Sequence, residues 1–329
     1  MKDAKEETQF QNGAETVSAQ NSPVHRYEKN FQVREDYLSS LPDVQNADKN
    51  TISGANVPIM QVGMHNFKLP LKFLTKDCGI REAEASVTAT VSLAADSKGI
   101  NMSRIMRVFY LFADRVFTPD LLEEILVKMK EQLKTSRARI KIDFNYPILQ
   151  TSLRSNLKAW QYYKCSYEGT MDDLDIFRKF IVFDFVYSSA CPCSSELSEH
   201  ARRTRNVYCV PHSQRSKARI SAEIEPSAHV SIEDMHAICL ESLHTETQVM
   251  VRREDEQAFA ELNGAYVKFI EDAARLLYAG FNSDKRIKDF EIACIHLESL
   301  HSHDAVGVIC KGLPGGFKAD FKDFEDLIC

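Results

Sequence analysis

The chain has 329 residues, of which 44% are hydrophobic and 27% charged, so it is globular in composition and not disordered throughout. Its formal net charge of -6 argues against a bulk nucleic-acid binder. No stretch approaches about 18 consecutive apolar residues, and the charged start, Met1 to Glu7, leads into no apolar segment. We therefore expect no membrane partner and no secretory signal. The chain has nine cysteines, an odd number, which indicates a reducing cytoplasm. In that compartment a cluster of cysteines is expected to bind a metal or to take part in catalysis.

The first half of the chain predicts one run of elements after a polar start. Residues 1–36 are expected to form a disordered tail. Alternating and helical hydrophobic periods then predict two strands, two helices and two strands. Asn101 is expected to cap the first helix, and Thr118-Pro119 to open the second. In chain order these elements are 58–74, 84–94, 102–113, 118–133, 140–146 and 158–167.

The second half repeats this order of element types. Ser231 to Asp234 resembles a capping box at the start of a helix, and residues from Gly312 onward are expected to be a loose end with turn chemistry. The strands are 179–187, 218–224, 287–297 and 305–311, and a long helical segment spans 254–279. The repeated order ββααββ predicts an α+β protein of two modules with antiparallel sheets, 37–170 and 171–311, and a C-terminal tail, 312–329.

Two clusters could carry chemistry at strand ends. Cys191 and Cys193 follow a strand directly, and His212 precedes the next strand, so adjacent antiparallel strand ends could bring Cys191 and His212 together. The alternative is a pair of buried thiols and a loop histidine. His301 and His303 lie after another strand and suit proton transfer or metal ligation. The alternative there is a polar turn.

Charged residues add two further hypotheses. Six basic residues, with no acidic residue among them, lie between 201 and 222. Such a concentration of positive charge suits a polyphosphate. Arg215 is a better candidate for a phosphate contact than Arg202 and Arg203, which are more typical of a solvated helix face. Glu256 and Glu271 begin and continue the long helical segment. In a straight helix they would stand about 22 Å apart, so either Asn263-Gly264 breaks the helix or a site combines two chains.

Several of these segments together resemble the type IB GTP cyclohydrolase family over about residues 37–311. The matching segments are Cys191-Pro192-Cys193-Ser194, His212-x-Gln214-Arg215-Ser216, Glu256, Phe269 to Asp272, Glu298 to Ala305, Leu41 to Gln45, Gln61 to Gly63 and Met102 to Arg104.

The resemblance implies a bimodular tunnelling fold, assembled as an oligomeric barrel, expected to be a tetramer, with active sites between subunits. It implies conversion of GTP and water to 7,8-dihydroneopterin triphosphate and formate, with a divalent metal such as Zn, Mn or Fe(II). The implied metal ligands are Cys191, His212 and Glu256. The implied substrate contacts are Glu271 at the guanine edge and Arg215 or Lys217 at the triphosphate, and the implied catalytic groups are Cys191, Cys193, His301 and His303, with Glu298 close by.

Two other interpretations remain open at this point. A non-catalytic interaction protein would use Cys191, Cys193, Cys209 and His212 as a closed structural zinc site. Another tunnelling-fold enzyme acting on a pterin or deazapurine would share the fold but not the reaction.

Overall fold

The computed structural model describes residues 25–45, 52–76 and 79–328. The described residues fall into two compact units, one ending at Asp43 and one beginning at Val44. Most of the predicted N-terminal tail, residues 1–24, lies outside the described residues. In the described part of the first unit, Phe31 packs edge-to-face on Tyr37 of a short helix, α1 (Glu35–Ser40), with the ring centroids 4.9 Å apart. All the elements named below belong to the second unit.

The second unit is built on one eight-stranded sheet in which every strand pairs antiparallel with its neighbour in the chain. The strands are β1 (Ile59–Thr75), β2 (Gly79–Leu93), β3 (Ala138–Thr151), β4 (Lys158–Met171), β5 (Phe177–Ala190), β6 (Ser213–Ile224), β7 (Ile287–His296) and β8 (Ala305–Cys310). The helices are α2 (Met102–Tyr110), α3 (Leu121–Leu133), α4 (Pro192–Arg205), α5 (Ile232–Leu243), α6 (Arg253–Ala265) and α7 (Ile270–Ser283).

The core explains why the alternating segments are strands and the periodic ones helices. In β2, Val87, Ala89 and Val91 are buried while the intervening threonines are partly exposed, because alternate side chains point to opposite faces. Leu122 of α3 packs so closely on β4 that a Cβ at Gly169 would lie 3.0 Å from it. In the second module α5 and α7 pack together over β5 and β7. The predicted α+β class with antiparallel pairing is confirmed. The order ββααββ is found from β1 to β4, whereas from β5 to β8 the chain adds α4 between the first two strands and has three helices before β7.

The helix starts differ in how well the sequence located them. The capping box at α5 is present, since Ser231 Oγ accepts from the backbone N–H of Asp234 and the Asp234 carboxylate accepts from the N–H of Ser231. Asn101 does stand at the N-cap of α2, but its side chain accepts from Ser103 Oγ instead of a backbone N–H. The helix expected at Thr118-Pro119 begins two residues later, at Leu121.

Two parts of the second module correct the sequence analysis. The long helical segment is two helices, α6 and α7, because the chain leaves the helix just after Asn263-Gly264 and the backbone N–H of Lys268 donates to Ala190 O, 3.1 Å away. The separation of Glu256 and Glu271 therefore does not require a second chain. Helix α4 was not delimited from the sequence, because only Ser198 and Ala201 are buried along it and no apolar stripe marks it.

The described C-terminal residues are not a loose end. Leu327 is fully buried against Ala293 and Ile295 of β7, on the sheet face opposite the α5–α7 pair. Asp289 of β7 holds the turn that leads there, because its carboxylate accepts from the N–H groups of Gly312 and Phe317, each at 2.9 Å. Asp326 then pairs with Arg219 at 2.7 Å. The sequence predicts a turn after Gly312, but it does not predict that Leu327 is buried and holds this segment against β7.

Among the described helices, none combines the length and apolar character that a bilayer crossing requires.

Candidate functional site

The ends of β5 and β6 bring Cys191 and His212 together. These strands pair up to Ala190 and Ser213, and one step further the backbone N–H of Cys191 donates to His212 O at 3.2 Å. The residues between them form α4 and a returning loop. Twenty intervening residues therefore separate two potential ligands that are neighbours in space.

The ring of His212 lies between a carboxylate and an amide. Its Nδ1 is 3.3 Å from Glu298 Oε2 and 3.1 Å from Gln214 Oε1, and the side chains of His212 and Glu298 are only 15% and 16% exposed. A carboxylate at one ring nitrogen fixes the orientation of the imidazole and directs the other nitrogen to a ligand, as in many metal-binding histidines.

Gln214, which contacts the ring of His212, belongs to a buried polar network. Gln214 Nε2 donates to Ser189 Oγ at 2.7 Å, and Ser189 Oγ is 2.9 Å from Ser216 Oγ. His296 Nε2 lies 3.0 Å from the hydroxyl of Tyr187; burial, together with the charge of Lys268, lowers the pKa of His296 to about 4. Sequence reasoning missed this network. The available signal was the position of Gln214 and Ser216 on the same strand face as buried Ala218 and Ile220.

Lys268 anchors the loop between α6 and α7 to the site. Besides its backbone bond to Ala190, its Nζ donates to Thr245 Oγ1 at 3.1 Å and to Tyr266 O at 2.5 Å. The side chain is buried, and this burial lowers the pKa of Lys268 to about 8. Since α7 begins two residues later, Glu271 lies exposed in its first turn.

Glu256 and Arg215 lie elsewhere, together in a cavity of about 600 Å³ that Gln161, Gln248 and Phe259 also line. The cavity exists because the pairing of β4 with β5 ends at Cys165 and Phe183. Beyond that point a short segment, Thr245 to Thr247, takes the place of β4 beside β5. The backbone N–H of Ser188 donates to Thr245 O at 2.7 Å, and the N–H of Thr247 donates to Val186 O at 3.3 Å.

Lys217 is occupied by an internal ion pair. It is 8% exposed, and its Nζ is 4.0 Å from Asp184, whose two carboxylate oxygens also accept from Arg219 at 2.7 Å. A lysine held in this way contributes little to an external phosphate. Of the two residues predicted for the triphosphate, Arg215 is exposed and Lys217 is not.

The remaining predicted residues are exposed. His301 and His303 are exposed in the loop between β7 and β8, with rings stacked at a centroid distance of 4.8 Å. The backbone N–H of His301 donates to Glu298 O at 3.2 Å, which links this loop to the carboxylate beside His212. Cys193 is exposed in the first turn of α4.

A complete metal-binding group is not assembled within the described part of a single chain, since no three or more His, Cys, Asp or Glu side chains there are placed to share an ion. Cys191 and His212 are adjacent, whereas Glu256 lines the cavity with Arg215. The alternative structural zinc site, Cys191, Cys193, Cys209 and His212, is not assembled either. The thiol of Cys191 and the oriented imidazole of His212 are donors that suit a divalent cation, but they are only two of the three proposed ligands.

Fold and site together define an α+β protein with a thiol and an oriented imidazole at neighbouring strand ends. A family model described as "Type I GTP cyclohydrolase folE2" matches residues 41–307. A GTP cyclohydrolase FolE2 of Cereibacter sphaeroides is 50% identical over 87% of this chain and 79% of the relative, and that of Paracoccus denitrificans is 49% identical over 87% and 88%. The chain belongs to the type I GTP cyclohydrolase FolE2 family.

Among solved structures, the uricase from Arthrobacter globiformis covers 80% of this chain and 97% of its own, with a TM-score of 0.44 and 10% sequence identity. Similarity at this level does not bear on function.

Proposed function

We propose that the protein is a type IB GTP cyclohydrolase, a hydrolase that converts GTP and water to 7,8-dihydroneopterin triphosphate and formate. Family membership supports the reaction. The observation that carries the proposal in this chain is the pair formed by Cys191 and His212, with the imidazole oriented by Glu298. Such a pair, at the rim of a buried polar network, is the arrangement expected of a hydrolytic metal centre.

The proposed cofactor is a divalent cation (Zn, Mn or Fe(II)) held by Cys191, His212 and Glu256 in the assembled enzyme. When bound, it would act as a Lewis acid that makes water a competent nucleophile toward C8 of guanine near neutral pH. Cys191 and His212 support this role by their adjacency; the contribution of Glu256 rests on the resemblance.

The protein's own groups would supply orientation and proton transfer. Glu271, exposed at the start of α7, would accept hydrogen bonds from the N–H groups of the guanine edge. His301 and His303, stacked on the loop that Glu298 begins, would donate a proton to the ring nitrogen as the carbon–nitrogen bonds break. Cys193, two residues from Cys191, is exposed at the start of α4.

The cavity that contains Arg215 and Glu256 suits a polar ligand. Among the described residues, Gln248 of its lining has a buried amide oxygen with no hydrogen-bond partner, and a buried acceptor of this kind is costly unless a ligand satisfies it. Arg215 would meet the substrate's phosphates there. The working enzyme is expected to be a cytoplasmic homo-oligomer, a tetramer with sites between subunits, without nucleic-acid or membrane partners.

The test is a GTP turnover assay with Zn, Mn and Fe(II) under reducing conditions, in which the pterin product is oxidised and measured by fluorescence. Cys191→Ala should lower turnover by at least about a thousandfold while the protein stays folded, because a ligand thiolate is lost. Cys209→Ala is the matched control. It should retain activity, whereas the structural-zinc alternative predicts that both substitutions impair folding. Absence of pterin from the wild-type protein with all three metals would overturn the proposal.

A further inference from the structure

Lys268, between α6 and α7, is a buried charged residue that the proposed mechanism does not use. The residue is 3% exposed. Its backbone N–H donates to Ala190 O at 3.1 Å, and its Nζ donates to Thr245 Oγ1 at 3.1 Å and to Tyr266 O at 2.5 Å. One residue therefore connects the end of β5, the segment that replaces β4 beside β5, and the loop that joins the two helices.

The first turn of α7 directly follows Lys268. Phe269 is the N-cap of this helix, and Glu271 lies exposed in the first turn, three residues after Lys268. Leu277 and Phe281, further along the helix, are fully buried and fix its axis in the core. The position of the first turn, and with it the carboxylate of Glu271, depends in addition on how the preceding loop is held.

The loop before α7 is held by Lys268 and by a ring contact. The ring of Tyr266 packs on that of His244, with the centroids 3.9 Å apart. His244 and Thr245 are consecutive, so the ring contact and the bond from Lys268 Nζ attach the loop to the same turn of the chain. That turn leads into the segment that pairs with β5. These contacts therefore fasten the loop to the sheet.

Burying the ammonium of Lys268 is costly. Both acceptors of Nζ are uncharged oxygens, and within the described residues this ammonium forms no ion pair that would offset its burial. Lys179 is buried to a similar degree, yet its Nζ pairs with the carboxylate of Asp120. Stability alone would favour an apolar side chain at position 268, so a buried cation without a counter-ion there is a candidate for a functional role.

We propose that Lys268 is a positioning residue that fixes the carboxylate of Glu271 for recognition of the guanine edge. The inference rests on the proposed function, in which Glu271 accepts hydrogen bonds from the N–H groups of guanine. A carboxylate accepts from two neighbouring N–H groups only when both distances and angles are suitable. Lys268 therefore decides how strongly the site distinguishes guanine from a purine that lacks the exocyclic amino group.

The test compares the affinities of GTP and inosine triphosphate for the metal-free, full-length protein by calorimetric titration. Inosine triphosphate keeps the ring N–H of guanine but lacks the amino group, so the wild-type protein should bind GTP more tightly. Lys268→Met keeps the apolar stem and removes the ammonium. The ratio of the two dissociation constants should then fall about three- to tenfold, because a charge-assisted hydrogen bond to Glu271 is weakened.

Two further variants separate positioning from stability. Lys179→Met removes a similarly buried ammonium at the opposite end of β5, where Nζ also donates to Ala228 O at 2.7 Å. This control should lower the free energy of unfolding but leave the ratio unchanged. Thr245→Val removes the hydroxyl that accepts from Lys268 and should lower the ratio; it decides the question if Lys268→Met does not fold.

Equal ratios in the wild-type protein and the folded variants at positions 268 and 245 would overturn the proposal. The same fall in Lys179→Met, or a wild-type protein without preference for GTP, would overturn it as well. The titration contains no metal and measures no turnover. A protein whose preference for GTP depends on Lys268 but which forms no pterin would therefore overturn the proposed function alone.

Discussion

The carboxylate of Glu298 is the residue-scale feature that distinguishes His212 from an ordinary loop histidine. Glu298→Gln keeps the size of the side chain but removes the charge that orients the imidazole, 3.3 Å away. We expect affinity for Zn or Mn to fall about 10- to 100-fold, because partners of metal-binding histidines tune ligand strength by that amount. A chelator-competition titration measures it. Glu196→Gln, an exposed change on α4, is the control; equal affinities in the two variants would contradict the role given to Glu298.

At the residue scale the sequence allows pairs across neighbouring strand ends to be predicted, but not contacts that depend on loops. Cys191 and His212 are adjacent because β5 and β6 are consecutive and antiparallel. The contact of Glu298 with His212 depends on the course of the chain after β7, which no periodicity encodes. Lys217 shows the same limit. Alternation places it with Arg215 and Arg219, yet its burial depends on Asp184.

At the scale of elements, an amphipathic pattern decided which helices could be predicted. Leu122, Ile125, Leu126 and Met129 form the buried face of α3, so its periodic pattern was visible. Helix α4 buries almost nothing and carries three arginines near its end, so only Pro192 at its first turn marked it. The break between α6 and α7 depends on the bond from Lys268 to Ala190, a partner distant in the chain, and sequence reasoning could state it only as an alternative.

The turn at residues 312–317 is an element that a single methyl group should disrupt. A Cβ at Gly316 would lie 1.8 Å from Asp289 Oδ2. Asp289 is fully buried and its carboxylate accepts from three backbone N–H groups, so it has little room to move. Gly316→Ala should lower the free energy of unfolding by about 1–3 kcal/mol. Gly264→Ala is the control, since a Cβ there meets nothing within 4 Å. Urea denaturation at fixed protein concentration compares them; equal midpoints would contradict the close contact.

For the molecule as a whole, the duplicated order of elements predicted the class of fold, because each module must cover one sheet face with its own helices. What the order could not predict is the place where β4 leaves β5 and the 245–247 segment takes over the pairing. That departure creates the cavity with Arg215 and Glu256, and it requires Val186 and Thr247, which are 61 residues apart in the chain, to meet. Sequence periodicity also cannot tell whether the residues of one site come from one chain or from two.

Mixed oligomers test whether sites combine two chains. Cys191→Ala and Glu271→Ala should each be inactive alone. If the thiolate and the guanine-binding carboxylate of one site come from different subunits, co-assembly of the two variants should restore about one quarter of the wild-type turnover, since that fraction of sites receives both intact residues. The measurement is GTP turnover of co-expressed, doubly tagged oligomers. Intact mixed oligomers without turnover would show that each site takes both residues from one chain.

The segment that contains Leu327 has a consequence for the resistance of β7 to heat. Leu327 is fully buried against Ala293 and Ile295, and Asp326 beside it pairs with both Arg219 and Lys164. Leu327→Ala would leave a void beside β7 and should lower the melting temperature, because truncating a buried leucine costs about 2–5 kcal/mol. A melting curve of the variant beside that of the wild-type protein measures the loss, and equal melting temperatures would contradict it.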